Sequence, residues 1–261
     1  MKRIWILLAF TFLTAPLAAW LLEPTEEAKE MVAPYIIPED HPAKPVLDEI
    51  FSVRASETLS TLRQAGFTQI NLRKRGLVVA QHPLLPGYII KVYCDYTGHS
   101  YNQFTKSYQM QDEHLEFVGR IEKRNLIARI IEKYGFEEFL LPKKWIYPIP
   151  TEINPARNHA KVKKFYLLIA EKIDILDPFE TREIWKQVDQ DYVYKFFLVY
   201  RDARLQDVGW ANQCFTPSGR LAFIDTKDWP EETFKPLRFP HFLPHEHKLY
   251  WNQLIRANFP E

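Results

Sequence analysis

Glycine is scarce in this chain, with 8 residues against 19 prolines. Turns that need a positive φ are therefore few, and material for a glycine-built phosphate cradle is short. Cysteine is scarcer still. Cys94 and Cys214 are too few and too far apart for a disulfide framework or a clustered zinc site. Each lies beside an apolar run, IIKVYC and NQCF, which suits a buried thiol. Excess charge is missing as well: 34 basic and 33 acidic residues nearly cancel. That balance argues against a nucleic-acid backbone as the main partner. Internal repeats and low-complexity tracts are also lacking.

What remains is a globular composition, 46% hydrophobic and 15% aromatic over 261 residues, enough for one large domain or two lobes with a sizeable core. The first segment differs in kind. MKR precedes an uncharged run from Ile4 to Leu22, and EPTEEAKE follows it. Such a pattern is expected of a signal peptide or membrane anchor over residues 1–22, since the run just reaches the roughly 20 residues of a membrane span. The flanking charges keep the N-terminus cytoplasmic and place the body outside the cytoplasm, tied to a membrane if the leader is uncleaved. The alternative is a buried N-terminal helix. Residues 23–46 are proline-rich, acidic and without a sustained period, the composition of a linker.

Downstream, Ile50, Phe51, Val53, Leu59 and Leu62 predict a helix from Leu47 to Gln64, capped near Gly66. Three strand-like runs follow, FTQINLR, GLVVAQH and YIIKVYC, and imply a small antiparallel sheet. An amphipathic helix over LEFVGRIEKRNLIARIIEKYGF stops at Gly135, and another strand spans Phe165 to Ile173. Helical segments are expected over Thr181–Gln190, Asp191–Asp202 and His247–Asn258. The fold class is thus α+β in two lobes, residues 47–170 and 171–261.

The stretch LQDVGWANQCFTPSGRLAFIDTKDW, Leu205 to Trp229, carries the candidate chemistry. Asp207 precedes Asn212 on one loop, and Asp225 ends a strand-like run. Upstream, Lys91 interrupts the apolar GYIIKVY, where a charge is costly unless it has a purpose. Taken singly, Asp207 and Asn212 suit a turn, Asp225 an N-cap, and Lys91 an edge strand guarded against aggregation. In this order, however, they resemble the landmarks of the protein-kinase-like superfamily over roughly Gly66 to Trp229. The resemblance implies a small antiparallel-sheet N-lobe and a reduced, mainly helical C-lobe.

It also implies Mg²⁺ and ATP as cofactors and roles for each residue. Asn212 and Asp225 would hold the metal against the phosphates, because Mg²⁺ takes hard oxygen ligands. Asp207 would accept the proton of an attacking hydroxyl. Lys91 would pair with the non-transferred phosphates, steadied by a helix carboxylate, Glu122 or alternatively Glu116. Glu171 would stand at the hinge beside the nucleotide. The partner would be a nucleotide and a hydroxyl-bearing small molecule, lipid or protein side chain.

Several positions depart from the superfamily's pattern. Leu205 and Gln206 stand where it has histidine and arginine, and Thr226 and Lys227 follow Asp225 in place of an aromatic and a glycine. Gly76 alone marks the phosphate-covering loop, where Arg73, Lys74 and Arg75 could act by charge instead. With so short a stretch after Asp225, the resemblance is to a minimal member. Two other readings stand beside an active phosphotransferase: a pseudokinase-like protein-binding module, and an unrelated α+β domain with chance matches. His241, His245 and His247 in PHFLPHEH could bind a transition metal if extended, although nothing nearby completes such a site.

Overall fold

The computed structural model describes residues 24–259 apart from 54–55, 57, 72–75, 95–98, 103–106, 111–112, 151–164, 210, 228–233 and 235–242. The expected leader, residues 1–22, the basic triplet at Arg73–Arg75 and His241 lie outside the described residues. Among those that are described, no helix is long and apolar enough to cross a membrane. The chain forms two compact units. Residues 1–85, 90–114 and 146–168 make one, and residues 86–89, 115–145 and 169–261 make the other. The fold is α+β.

A five-stranded sheet, most of whose residues lie in the first unit, takes the order β1-β2-β3-β8-β7, from β1 (Thr68–Gln69), β2 (Gly76–Gln81), β3 (Tyr88–Cys94), β7 (Lys144–Pro148, with Lys144 and Trp145 in the second unit) and β8 (Tyr166–Glu171). β1, β2 and β3 run antiparallel in sequence. β3 is the middle strand, with its backbone paired on both sides, so the edge-strand explanation of Lys91 fails. A separate hairpin joins β4 (His99–Asn102) to β5 (Ser107–Met110).

Residues 24–46 are built into the first unit and do not behave as a linker. They carry α1 (Glu26–Val32), a 3₁₀ turn at Ala33–Tyr35 and the start of α2 (Lys44–Ile50). Ala28, Val32, Ile37 and Ala43 are buried. Prolines that read as linker composition instead sit at the first turns of the 3₁₀ helix and α2, where a missing N–H costs nothing. Ile37 donates to the carbonyl of Ile146 at 2.9 Å, which ties the segment to β7. Tyr147 on that strand donates to Asp48 of α2 at 2.9 Å.

The helix expected over Leu47–Gln64 is two helices, α2 and α3 (Leu59–Gln64). Thr58 interrupts it by capping α3: its hydroxyl accepts from the Thr61 amide while the Thr61 hydroxyl accepts from the Thr58 amide. Such a reciprocal cap favours restarting the helix over continuing it. α3 ends as expected at Gly66, with φ +93. A Cβ there would approach the His82 imidazole to 2.7 Å, so both backbone and space require glycine.

The second unit gathers α4 (Glu113–Tyr134, mostly in this unit), α5 (Pro178–Trp185), α6 (Gln190–Asp202) and α7 (His245–Asn258) around a small sheet ordered β6-β10-β9. Its strands are β6 (Phe139–Leu140), β9 (Gln213–Phe215) and β10 (Leu221–Phe223). The core is aromatic. Trp185, Phe196, Phe197, Phe215, Phe223 and Trp251 are fully buried, with Trp185 and Phe196 5.2 Å apart and Tyr200 and Trp251 4.9 Å apart in edge-on contact. β9 and β10 are buried along their whole length, so this core anchors the hairpin that carries the candidate loop.

Cys94 and Cys214 are buried free thiols, as expected. Burial pushes the Cys214 thiol up to about 11. His245 and His247 open α7 and are not extended. His247 is buried with Nε2 2.7 Å from the Val188 carbonyl oxygen, and residues two apart on a helix do not face one ligand.

Candidate functional site

The site starts where α6 ends. α6 begins at Asp189, whose carboxylate accepts from the Tyr192 amide at 2.8 Å, and buries Val193, Phe196, Phe197 and Tyr200 against the second unit's core. It closes with the amide of Leu205 on the Tyr200 carbonyl at 3.0 Å and that of Arg204 on Arg201 at 3.2 Å. This pattern is a Schellman motif, which normally puts glycine in the left-handed position. Here that position is Arg204, φ +48, the one non-glycine residue with positive φ among the described residues. Lys123 of α4 donates to the adjacent Ala203 carbonyl at 3.1 Å and holds the turn. The loop with Asp207 therefore leaves α6 through a mildly strained joint. Arg204→Gly is expected to raise stability by about 0.5–1 kcal/mol, read by chemical denaturation. No gain would show that Arg204's own contacts offset the strain.

Beyond the joint, Asn212 does close a turn, with its amide on the Gly209 carbonyl at 2.8 Å, and Asp207 precedes that turn. Their bonds reach further than a turn requires. The Asn212 side chain donates to the Asp207 carbonyl at 3.1 Å, and the Asn212 carbonyl accepts from the Ile224 amide at 2.9 Å. Asn212 thus links Asp207 to the residue before Asp225. Gln213, 1% exposed, braces the loop from beneath: its side chain accepts from the Gly209 amide at 2.7 Å and donates to the Asp207 carbonyl at 3.4 Å. The Asp207 carboxylate itself is on an exposed residue, open to a substrate.

Asp225 follows β10 in irregular backbone, and no helix starts at residues 224–227. Its carboxylate pairs with the Arg120 guanidinium of α4. Arg120 is 4% exposed and also lies 3.6 Å from the Glu116 carboxylate, one turn earlier. The other oxygen of Glu116 accepts from Lys227 at 3.1 Å. Thr226 reinforces the pair: its hydroxyl donates to the Arg120 carbonyl at 2.6 Å and accepts from the Lys144 ammonium at 2.7 Å. Lys144 and Thr226 are buried too. Arg120 thus holds Asp225, and Glu116, Thr226, Lys144 and Lys227 are bonded in turn to Arg120 or to one another.

Lys91 is 4% exposed on β3, opposite Val79 of β2. Glu122 is on α4 but exposed. It stands six residues from Glu116, on another face of the helix. The helix carboxylate bonded into the Asp225 cluster is that of Glu116. Glu171 ends β8, where its carboxylate accepts from the Lys143 amide at 2.8 Å and its own amide donates to the Lys143 carbonyl at 3.0 Å. It also faces Arg124. Burial lowers the Arg124 guanidinium from its usual value, against the opposing pull of Glu171.

Sequence reasoning passed over Arg120, Lys144 and Gln213. A signal for Arg120 existed, since it stands at the spacing of Phe117 and Ile121 on the buried side of α4, with Glu116 four residues earlier as an ion-pair partner. Gln213 carried no such signal.

Asn212 and Asp225 offer one carboxamide and one carboxylate. That donor set suits Mg²⁺, which keeps several waters and takes one or two carboxylates besides phosphate oxygens. The Asn212 side-chain nitrogen donates to the Asp207 carbonyl, and its side-chain oxygen is an acceptor. Among the described residues no group of three or more His, Cys, Asp and Glu side chains could hold a metal ion. No family model matches the chain, and no curated protein or solved structure does either.

Proposed function

We propose that the chain is a kinase-like phosphotransferase that uses Mg·ATP on a hydroxyl-bearing substrate, with a two-lobed kinase-like fold. One observation carries the reading: Asn212 is hydrogen-bonded through its side chain to Asp207 and through its carbonyl to Ile224, beside Asp225. These bonds join Asp207, Asn212 and Ile224 at the open end of the hairpin, and Asp225 is the next residue in the chain. A buried lysine on the third strand of the sheet, Lys91, agrees with the superfamily's phosphate-binding lysine on its own third strand.

In this reading Asn212 and Asp225 hold Mg²⁺, which when bound neutralises charge on the phosphates. Lys91 pairs with the non-transferred phosphates. The substrate hydroxyl oxygen forms a bond to the terminal phosphorus as the bond to the ADP oxygen breaks, and Asp207 takes the hydroxyl proton. The exposed carboxylate of Asp207 and its doubly bonded carbonyl suit a base that is held by its backbone and free at its side chain.

A second reading, a non-catalytic nucleotide-binding or protein-binding module, is favoured by the Arg120 guanidinium on Asp225, which already compensates that carboxylate. One titration separates them. Thermal unfolding is followed with ATP, with and without Mg²⁺, alongside label transfer to water or a hydroxyl acceptor. A phosphotransferase gains about 2.7 kcal/mol at ligand concentrations 100 times its Kd, only with Mg²⁺, and releases labelled phosphate. Stabilisation by ATP in EDTA with no transfer selects a non-catalytic nucleotide-binding module, and no stabilisation under any condition overturns the phosphotransferase and leaves the protein-binding module.

A further inference from the structure

We infer that the closed end of the β9–β10 hairpin is a second binding site, which takes a small zwitterion of the amino-acid or short-peptide class, its carboxylate on Arg220 and its ammonium on Glu137. The site is a cleft of about 460 Å³ within the second unit, lined by Gly135, Glu137, Glu138, Ser218, Gly219 and Arg220. That volume falls in the range of small-molecule sites. The loop with Asp207 and Asn212 joins the hairpin at its other, open end, so this cleft stands apart from the candidate site and does not rest on the phosphotransferase reading.

The hairpin turn holds Arg220 ready before a ligand arrives. The Thr216 amide donates to the Arg220 carbonyl at 2.8 Å, the Arg220 amide donates to the Thr216 hydroxyl at 3.1 Å, and Gly219, φ +80, closes the turn with its amide on the Thr216 carbonyl at 2.9 Å. The guanidinium is seated in turn on β6 and the residues before it: Nε donates to the Glu137 carbonyl at 3.0 Å and Nη2 to the Phe139 carbonyl at 3.2 Å. Two of its five N–H donors are thereby used, which leaves both on Nη1 and one on Nη2. These form the end-on fork that fits a carboxylate. Arg220 is exposed, and among the described residues no carboxylate takes that fork.

The opposite charge lines the same cleft. Gly135, φ +67, ends α4, and Glu137 follows two residues later, beside the partial negative charge of a helix C-terminus. A carboxylate is disfavoured there unless a cation joins it. Glu138 has such a cation, Lys195 at 2.5 Å. Glu137 is exposed and has none among the described residues. The cleft thus carries one guanidinium and one carboxylate that do not pair with each other, and a ligand bearing both charges complements them. An inorganic phosphate, anionic throughout, would meet Glu137 as a like charge.

Dialanine, its N-acetyl form and its C-terminal amide separate the two charges. Each is titrated into the purified full chain with the backbone amide resonances of Gly135 and Gly219 as reporters, after circular dichroism has checked each variant's fold. Dialanine is expected to bind at millimolar concentration, and each blocked form about tenfold more weakly, since each loses one charge-assisted contact. Arg220→Gln should weaken dialanine by a similar factor. So should Arg220→Lys, because an ammonium cannot both sit on two carbonyls and present a fork. Glu137→Gln should bind dialanine and its N-acetyl form equally. That variant decides alone if Arg220→Gln does not fold, because the Glu137 side chain holds nothing in place among the described residues. An undiminished preference for dialanine in Glu137→Gln, equal binding of all three probes by the wild type, or no shift at either glycine at millimolar probe overturns the inference.

Discussion

Asp207→Asn is expected to leave nucleotide and Mg²⁺ binding intact while transfer to a hydroxyl falls by about 10²- to 10⁴-fold. The loop geometry survives because the groups that fix it are not the carboxylate. Asn212 and Gln213 both donate to the Asp207 backbone carbonyl, and the substitution keeps side-chain volume. The residue is exposed, so stability should change by less than about 0.5 kcal/mol. Single-turnover label transfer at saturating Mg·ATP measures the loss, and a nucleotide titration on the same sample measures binding. Equal, measurable transfer in wild type and variant would remove Asp207 from the chemistry. Loss of binding with loss of transfer would instead make it a structural residue of the loop.

What the sequence disclosed follows from which signals are local. Gly66 and Gly135 announced helix ends because a left-handed residue is a local requirement, and both have positive φ where they were expected. The apolar run around Lys91 announced a strand, and it is one. Two other local patterns misled. Proline in residues 24–46 suggested a linker, yet a proline in a helix's first turn has the same composition as one in a linker, and only burial of Val32 and Ile37 separates them. The apolar spacing from Ile50 to Leu62 suggested one helix, since periodicity carries through a break that a threonine cap imposes.

The candidate site was legible in part for the same reason. Asp207, Asn212 and Asp225 share one loop-and-hairpin stretch, and their order could be read. Arg120 is 105 residues from Asp225, and nothing in the spacing joins them. Glu122 and Glu116 were alternatives as the partner of Lys91, and spacing alone does not set the phase of a helix relative to a strand. Once Arg120 is seen against Asp225, its i−4 neighbour Glu116 becomes the carboxylate in that cluster.

Asp225→Asn is expected to abolish Mg²⁺-dependent nucleotide binding and also to weaken the fold, although the substitution barely changes volume. From the sequence alone, Asp225→Asn should leave the fold nearly intact. The structure changes that expectation, because the lost charge compensates a guanidinium that is 4% exposed. Breaking a fully buried pair from one side costs about 3–5 kcal/mol. Asp225 is 25% exposed on its side chain and Arg120 retains Glu116, so a loss of about 1–3 kcal/mol is the better expectation by the same principle. Chemical denaturation reads that loss, and the double variant Asp225→Asn with Arg120→Gln tests its cause. If the cost comes from an uncompensated guanidinium, removing the guanidinium should restore part of the stability while Mg²⁺-dependent binding stays absent, giving a positive coupling in the double-mutant cycle. Additive losses would mean that the two side chains stabilise the fold separately. Retained Mg²⁺-dependent binding in Asp225→Asn would assign the metal to other oxygens, because an amide in place of the carboxylate removes the only anionic donor that Asn212 and Asp225 supply.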